Sequence, residues 1–429
     1  MKESSSRAGT HGVQAAIEAV MHDLLALPEV AEAKRKVRDQ YFLPRSRGRT
    51  ERDLAFIDHA IDEMAVHAAG AVAADPAYPR LTWYEFMPHE TEGRSIGGGR
   101  YGFDNPDRVF RHFMINPEWQ YEVRGRFNPD GSAPFYVLME SCQPKPPGWG
   151  YPLAFLYMDD IEPDAEGNFR ITIDSTPTNG RKNHLHLPKE SGHVLIRDTL
   201  VDWNAQMPAP MTVRRIGGPE VPPKSFETMR AQIAQEIEAN AQNAFLWYDY
   251  ALAKVEDNTI SLPQIRPAPE GQTPWGMTTT ARFRVAEDEA LVFTLDRASA
   301  RYLGIMVAEP WMVSIDYTKH TSCLNHSEVW IHPDDTVTYV IARRDPGVQN
   351  WLDAAYVESG VVLVRWELLQ RTPDPATVVR DVRLVKLGDL AAVVPAQMPR
   401  VTPEMRRRQL ETRAAGYARR VNAVLSATV

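Results

Sequence analysis

Cysteine is scarce in this sequence, and its scarcity excludes two kinds of stabilising or reactive site. The 429 residues contain only Cys142 and Cys323. Two cysteines cannot build a disulfide framework or a cysteine-based zinc site, and a chain of this kind suits a reducing compartment. We therefore expect the protein to be cytoplasmic.

Long apolar runs are absent as well. No stretch of 18 apolar residues occurs, and the first twelve residues, MKESSSRAGTHG, lack the apolar core of a secretory signal. The sequence therefore predicts neither export nor a membrane span.

Positive charge is not in excess either. Lys and Arg number 48 against 56 Asp and Glu, which gives a formal net charge of -8 at pH 7. Such a chain has no general attraction to nucleic acids or anionic membranes. We expect no nucleic-acid partner and no membrane partner.

Motifs for common cofactors and hydrolytic sites are also not found. The sequence has no GxGxxG, GxSxG, HExxH or CxxC, and the run Gly97-Gly98-Gly99 lacks the Lys-Ser/Thr of a phosphate loop. Dinucleotide, metalloprotease and standard serine-hydrolase chemistry are therefore not predicted, and we expect no cofactor.

Proline and aromatic residues, in contrast, are abundant. The chain has 33 prolines, 10 tryptophans and 15 tyrosines. Many prolines indicate many turns, and many aromatic rings indicate a large core or an aromatic-lined pocket.

Helical periodicity is confined to three parts of the chain. Residues 1–80 read as a helical segment, with one helix over 13–40 that is broken near Pro28 and a second that starts at Thr50. The spacing of Thr50 to Asp53 is that of a capping box. A helical insertion is predicted at about residues 225–254, and a C-terminal helix over 401–429. The apolar stripes of the terminal helices need a partner surface, so we expect a homodimer.

Residues 81–400 otherwise consist of short β-rich runs divided by Gly, Pro, Asn and Asp. Strands at such short spacing, without helices between them, predict antiparallel sheets. We expect a mainly β, overall α+β, fold with one jelly-roll-like antiparallel β-sandwich domain that carries the helical insertion. No internal repeat is evident. The proline-rich segment 261–275 has the length of a lid or binding loop.

Several phrases in this region resemble one bacterial family, known only as domain of unknown function 1214. The resemblance covers roughly residues 95–370 and implies a β-sandwich of jelly-roll character, without a settled activity. The phrases are GFDNPDRVFRHFMINPEWQYEVRGRF at 102–127, RKNHLHL at 181–187, IRDTLVDWN at 196–204, SIDYTKHTSCLN at 314–325, RDPGVQNWLD at 344–353 and VLVRWEL at 362–368.

Two histidines lie two residues apart in a predicted strand. His184 and His186 should therefore project from the same face, and such a pair can begin a metal site if a third ligand is supplied. No spacing identifies that ligand among His193, His320, His326 and Asp316. Structural histidines and metal-free acid/base histidines are the alternatives, and we expect no stoichiometric metal.

A short C-terminal segment holds several groups able to transfer protons. The segment runs from Asp316 to His326, and its His, Tyr, Lys and Asp side chains can act as acids or bases. The alternative to a catalytic role is a polar loop that caps the sandwich. We predict that six residues are catalytic: His184, Tyr317, Lys319, His320, Asn325 and His326. All of them except Lys319 are expected to converge on one pocket, walled by Trp311, Trp351 or the aromatic end of the helical insertion. We predict that seven others bind the substrate: His186, Arg197, Trp203, Trp247, Trp311, Trp351 and Arg365.

These residues favour a cofactor-free enzyme that acts on a small aromatic compound. Acid/base chemistry on a phenolic, lignin-derived molecule fits best, with a carbon–carbon lyase that releases an aldehyde such as formaldehyde as the expected reaction. One alternative is a metal-dependent sandwich enzyme that uses His184 and His186. Another is a non-catalytic protein that binds an apolar ligand.

Overall fold

The protein is described by a computed structural model over residues 12–128, 130–144, 152–267 and 272–425. Within these ranges no helix has the length and apolar character needed to cross a lipid bilayer. The helices are α1 (Val13–Leu25), α2 (Pro28–Val37), α3 (Glu51–Leu54), α4 (Ile57–Ala73), α5 (Phe226–Ala251) and α6 (Pro403–Leu425).

Three of these helices, α3, α5 and α6, begin after a residue whose side chain caps them. The Thr50 hydroxyl accepts a hydrogen bond from the backbone N–H of Asp53, whose carboxylate accepts one from the Thr50 N–H. Ser225 caps α5 in the same way through the N–H of Thr228, and Thr402 precedes Pro403 at the start of α6. Each cap satisfies a donor that the first helical turn leaves without a partner.

The strands between residues 82 and 215 form two stacked sheets. Sheet A has the order β1-β4-β10-β6-β7 and sheet B the order β11-β5-β8-β9, while β2 and β3 form a separate hairpin. The bounds are β1 (Thr82–Glu85), β2 (His89–Thr91), β3 (Arg94–Ile96), β4 (Arg108–Met114), β5 (Tyr121–Arg126), β6 (Tyr136–Cys142), β7 (Pro152–Tyr157), β8 (Asn168–Asp174), β9 (His184–His186), β10 (His193–Thr199) and β11 (Met211–Arg215).

The strands between residues 259 and 386 form a second pair of sheets. Sheet C has the order β12-β14-β20-β16-β17, with β13 also paired to β14, and sheet D has the order β19-β18-β15-β21. The bounds are β12 (Thr259–Ile260), β13 (Gln264–Ile265), β14 (Gly276–Arg284), β15 (Glu289–Asp296), β16 (Ala300–Ala308), β17 (Cys323–Asn325), β18 (Thr336–Ala342), β19 (Trp351–Asp353), β20 (Ser359–Leu369) and β21 (Val379–Lys386).

The mainly β, α+β sandwich class with terminal helices is confirmed, but the single sandwich domain expected over 81–400 is wrong. No strand of sheets A and B pairs with a strand of sheets C and D in the described ranges, and each sandwich encloses its own apolar core. Alternation along a strand shows which face is buried but not which other strands share that core.

The two sandwiches have the same topology, so the chain contains an internal duplication that the sequence did not reveal. Without their first strands, β1 and β12, sheet A has the order β4-β10-β6-β7 and sheet C has the order β14-β20-β16-β17. Each strand of one sheet corresponds to the strand at the same place in the other. Sheet B read as β11-β5-β8-β9 matches sheet D read as β21-β15-β18-β19. The pair β8–β9 in sheet B and the corresponding pair β18–β19 in sheet D are parallel, whereas the other strand pairs are antiparallel.

Equivalent side-chain contacts support the duplication. The amide of Asn183 exchanges two hydrogen bonds with the backbone of Glu162, at 2.7 and 2.9 Å. The amide of Asn350 does the same with the backbone of Trp330, at 2.7 and 2.8 Å. Each asparagine immediately precedes the short parallel strand of its sandwich, so the same device holds the same loop twice.

The helices join the two sandwiches into one body. A third apolar core combines α1, α4 and α5 with residues of both halves, including Trp203 from the first and Met306 and Val361 from sheet C. The apolar stripe of the N-terminal helices is therefore covered by the chain itself. This packing removes the reason for which a homodimer was expected.

Candidate functional site

Sheets A and C face each other, and charged residues lie between them. Arg108 on β4 forms an ion pair with Glu367 on β20, and both side chains are almost fully buried. The hydroxyl of Tyr302 on β16 donates to Asp107, next to Arg108, at 2.8 Å. We call this region the A–C interface. Burying charge between two sheets is costly unless the charges are paired or used.

Two carboxyl groups in the A–C interface have pKa values raised towards neutrality. Glu85, the last residue of β1, has its pKa raised to about 8 by burial and by the negative charge of Asp104. Burial also raises the pKa of Asp104 to about 6, with the nearby Arg100 guanidinium opposing the rise. At pH 7 Glu85 is therefore mostly protonated and Asp104 mostly ionised, which makes them an acid and a base.

Three further guanidinium groups lie in the A–C interface, and two of them, Arg197 and Arg365, act on the pKa of Glu85. Arg197 on β10 lies 2.8 Å from a carboxylate oxygen of Glu140 on β6. Arg365 on β20 donates to the carbonyl oxygens of Phe103 and Asp104, and burial followed by the charge of Arg108 lowers its pKa to about 10. Arg266, just after β13, lies 5.0 Å from the ring centre of Trp275, and its pKa is lowered by burial.

Several buried polar atoms of this cluster have no hydrogen-bond partner. Buried polar groups in proteins are nearly always satisfied, so a concentration of exceptions needs an explanation. Unused lone pairs and N–H groups between two sheets are what a polar ligand would engage. The atoms are Glu85 Oε2, Asp104 Oδ1, Glu140 Oε1, Arg197 Nε and Glu367 Oε1.

Part of the A–C interface keeps accessible surface. Glu85 and Arg266 are each partly exposed. At the β7 edge of sheet A, Phe155 is 39% exposed and stacks on Tyr157, with 5.7 Å between ring centres. Both rings project from the same face as Glu140, because Phe155 is paired with Glu140 across the ladder and Tyr157 with Leu138. An aromatic edge therefore borders the face of sheet A that carries Glu140.

Two of the predicted substrate-binding residues, Arg197 and Arg365, lie in the A–C interface. Four other predicted residues gather around Asp107, the neighbour of Arg108. Trp203 and Asn325 each donate to Asp107 Oδ1 at 2.9 Å, and the ring of Tyr317 packs 5.9 Å from that of Trp203.

His326 is the fourth of these residues. Its imidazole lies 6.0 Å from the ring of Tyr302, measured between centres, and burial and the charge of Arg297 lower its pKa.

The histidine pair lies in the first sandwich, apart from that group. His184 and His186 do project the same way, and both contact the carbonyl oxygen of Thr176, at 2.8 and 3.2 Å. The other ring nitrogen of His184 lies 2.8 Å from the Thr172 hydroxyl. Both ring nitrogens of His184 are therefore engaged within the first sandwich, and among the described residues no contact joins His184 to Tyr317, so the expected convergence of the two is not observed. The described residues contain no group of three or more His, Cys, Asp or Glu placed to hold a metal ion.

The remaining predicted residues are dispersed over the molecule. Lys319 is 77% exposed in an ion pair with Asp316, and His320 pairs with Asp353 at 2.7 Å near the surface. The other three are tryptophans with separate roles.

Trp311 is buried against the helices and donates to the Asp53 carbonyl. Trp351 is buried in the second sandwich and donates to the Ala342 carbonyl, while Trp247 is 46% exposed on α5. Trp311 packs against Tyr248 near the end of α5, with 6.1 Å between ring centres, whereas Trp351 belongs to a different apolar core.

Sequence reasoning missed Glu85, Asp104, Glu140, Arg266 and Glu367. A signal was present for two of them, because Glu85 and Glu140 are each the only charged residue in an apolar or aromatic run, TWYEF and VLMES, whereas Glu367 in VRWEL follows Arg365. A single charge in such a run indicates a paired or functional group. Nothing local distinguishes Asp104 or Arg266.

Two surface hollows of about 420 and 400 Å³ lie elsewhere. The first is next to Lys386, which pairs with Asp288 at 2.9 Å, and the second is next to Lys224, which donates to carbonyl oxygens at the end of α4. Their lysines are already engaged, so we do not assign the site to either hollow.

Comparisons with known proteins bear on the fold alone. No family model and no curated protein matches the chain, so the resemblance to domain of unknown function 1214 stays a prediction. An uncharacterized protein from Burkholderia cenocepacia has a similar structure, with a TM-score of 0.68, 21% identity and coverage of 87% of this chain and 99% of that one. The VPA0106 protein from Vibrio parahaemolyticus matches with a TM-score of 0.43 and 7% identity over 78% of this chain and 98% of that one. The chain is thus similar in fold to the Burkholderia protein.

Proposed function

We propose that this protein is an enzyme that acts by acid/base chemistry on a small aromatic compound bound in the A–C interface. The observation that supports it is the set of unpartnered buried polar atoms around two carboxyl groups with raised pKa values. Structural ion pairs satisfy one another, whereas groups prepared for a substrate keep unused hydrogen-bonding capacity.

The reaction that we propose is a carbon–carbon cleavage that releases an aldehyde. Ionised Asp104 takes the proton of a side-chain hydroxyl, and the adjacent carbon–carbon bond breaks as the aldehyde carbonyl forms. The electron pair of that bond passes to the remaining carbon and its aromatic ring, and protonated Glu85 then protonates that carbon. The net change is one proton moved from oxygen to carbon, and the proton returns from Asp104 to Glu85 before the next turnover.

The neighbouring groups suit an aromatic substrate. Phe155 and Tyr157 offer stacked rings at the β7 edge of sheet A, and guanidinium groups of the A–C interface such as Arg197 can stabilise the charge that develops on the ring oxygen. Arg197 is held by Glu140 and so needs no reorganisation to meet that charge.

The test is aldehyde release from a panel of phenolic dimers, measured across pH. Wild-type turnover should rise through about pH 6, as Asp104 ionises, and fall through about pH 8, as Glu85 ionises. Glu85→Gln and Asp104→Asn should each lower turnover at least ~100-fold, the usual contribution of one acid/base group. Asp104→Asn should also lose the rise in turnover through about pH 6, and Glu85→Gln should lose the fall through about pH 8.

The matched control is His22→Gln, which removes an exposed imidazole on α1 and should leave turnover unchanged. His326→Gln tests the histidine that lies beside Tyr302. A profile without the two limbs, or full turnover in Glu85→Gln, would contradict the assignment. Binding without turnover of any compound in the wild type would favour the alternative of a binding protein.

The cellular setting is a further part of this proposal. Cys142 and Cys323 are both buried free thiols in different sandwiches, which suits the cytoplasm. A homodimer remains a proposal as well. Because the terminal helices are covered, its surface would have to lie elsewhere, and the exposed aromatic end of α5 at Trp247 and Tyr250 is one such surface.

A further inference from the structure

The duplication places two arginines in corresponding positions of the facing sheets. Arg197 ends the sequence VLIR on β10, and Arg365 ends the sequence VLVR on β20, the strand with the same place in the other sandwich. Both arginines project towards the other sandwich. Because the strand order and the four-residue sequence agree, we align the two sandwiches on these residues.

The alignment shows a difference at the neighbouring position. Leu195, two residues before Arg197, pairs across the ladder with Glu140, and Leu363, two residues before Arg365, pairs with Met306. Glu140 supplies the carboxylate of Arg197 at 2.8 Å. Beside Arg365 the corresponding position holds the thioether of Met306. The Nη1 atom of Arg365 lies 3.7 Å from the Met306 sulfur, which is a weak hydrogen-bond acceptor.

No carboxylate of a described residue directly contacts Arg365. Its Nη2 donates to two backbone carbonyl oxygens, and no carboxylate of a described residue forms an ion pair with it, although Glu367 and Asp104 lie near enough to act on its pKa. Arg365 is 9% exposed as a residue, while Leu363 and Thr278 on the same face keep more accessible surface. A buried guanidinium that no carboxylate touches has room for a charge-assisted hydrogen bond to an anionic ligand.

We propose that Arg365 binds the carboxylate of an aromatic acid, in the place that Glu140 occupies beside Arg197 in the other sandwich. This inference rests on the proposed function and specifies its substrate class as phenolic carboxylic acids. The ligand carboxylate lies against Nη1 and the Met306 sulfur, and its ring extends towards Glu85 and Asp104.

The experiment restores the missing carboxylate within the protein. Met306→Glu places a carboxylate within reach of Arg365 and should compete with the ligand, whereas Met306→Gln has the same size without the charge. The probes are 4-hydroxybenzoate and its neutral analogue 4-hydroxybenzamide, with binding measured by titration calorimetry. Wild type and Met306→Gln should prefer the carboxylate at least ~10-fold, in line with a charge-assisted hydrogen bond. Met306→Glu should lose that preference.

Folding of the variants is checked by thermal unfolding. Met306→Glu should remain folded, because it gives Arg365 a partner, and Arg365→Met provides a second variant that should also lose the preference. Equal affinity of the wild type for the two probes, or an unchanged preference in Met306→Glu, would overturn the proposal. If the preference behaves as expected but no phenolic acid is turned over, the subsite stands and the proposed reaction fails.

Discussion

At the scale of single residues, the most consequential feature is a carboxyl group kept neutral by its surroundings. Glu85 is enclosed at the end of β1, with Asp104 nearby and one carboxyl oxygen unpartnered. A pKa of about 8 means that the folded protein holds a proton that the unfolded chain releases near pH 4.5. The same burial that prepares an acid therefore lowers stability at neutral and higher pH.

Glu85→Gln should stabilise the protein in a pH-dependent way. The raised pKa contributes stability that is fully present below pH 4.5 and is lost as the pH rises through about 8. Gln does not titrate, so its advantage in free energy of unfolding should grow between pH 5 and pH 9 by on the order of 2–4 kcal/mol, since one pKa unit is worth about 1.4 kcal/mol. Urea unfolding of both proteins at the two pH values measures the change. An advantage that does not vary with pH would mean that Glu85 is ionised throughout.

At the scale of secondary-structure elements, the same loop device occurs once in each sandwich. Asn183 and Asn350 each hold the backbone of a preceding loop and introduce a parallel strand. The two sites differ in burial. Asn350 is fully buried and also donates to the Thr338 carbonyl at 3.0 Å, whereas Asn183 is half-buried.

Replacing the two asparagines should therefore have unequal effects. Asn350→Ala leaves the buried Thr338 carbonyl and the partly buried backbone groups of Trp330 without this partner and should cost about 3 kcal/mol, whereas Asn183→Ala should cost about 1 kcal/mol because water can replace the amide. Chemical denaturation gives both values. Asn422→Ala, at an exposed position of α6, is the control and should be neutral or slightly stabilising. Equal costs at the two loop positions would contradict this account.

At the scale of the whole molecule, the two sandwiches are joined by polar and apolar contacts of different character. The helices provide a shared apolar core, and the A–C interface provides the ion pair of Arg108 with Glu367. Removal of one member of such a pair leaves a buried charge without its partner, whereas removal of both can be nearly neutral.

A double-mutant cycle tests whether this pair joins the sandwiches. Arg108→Met and Glu367→Met should each lower the free energy of unfolding by about 3–5 kcal/mol, and the double variant should recover most of the loss. Denaturant unfolding followed by tryptophan fluorescence measures all four proteins. Additive losses would show that the two side chains act independently.

Local physical chemistry was sufficient to predict the elements. The caps at Thr50 and Ser225 and the break at Pro28 depend on residues within one helical turn, so the helices are found where the sequence predicts them. Alternation of apolar and polar residues in the same way predicted the antiparallel sandwich class. The histidine pair was correctly placed on one face, because that is a property of the strand itself.

Only the tertiary structure decided how many cores form and which charges meet. Arg108 and Glu367 lie 259 residues apart, and the duplication rests on strand order and a four-residue likeness between β10 and β20. Strand pairing depends on loop closure and shared burial, which no window of sequence contains. For the same reason His184, Tyr317 and His320 looked like one site in the sequence, while Glu85 and Asp104 became a candidate acid and base only when sheet A met sheet C.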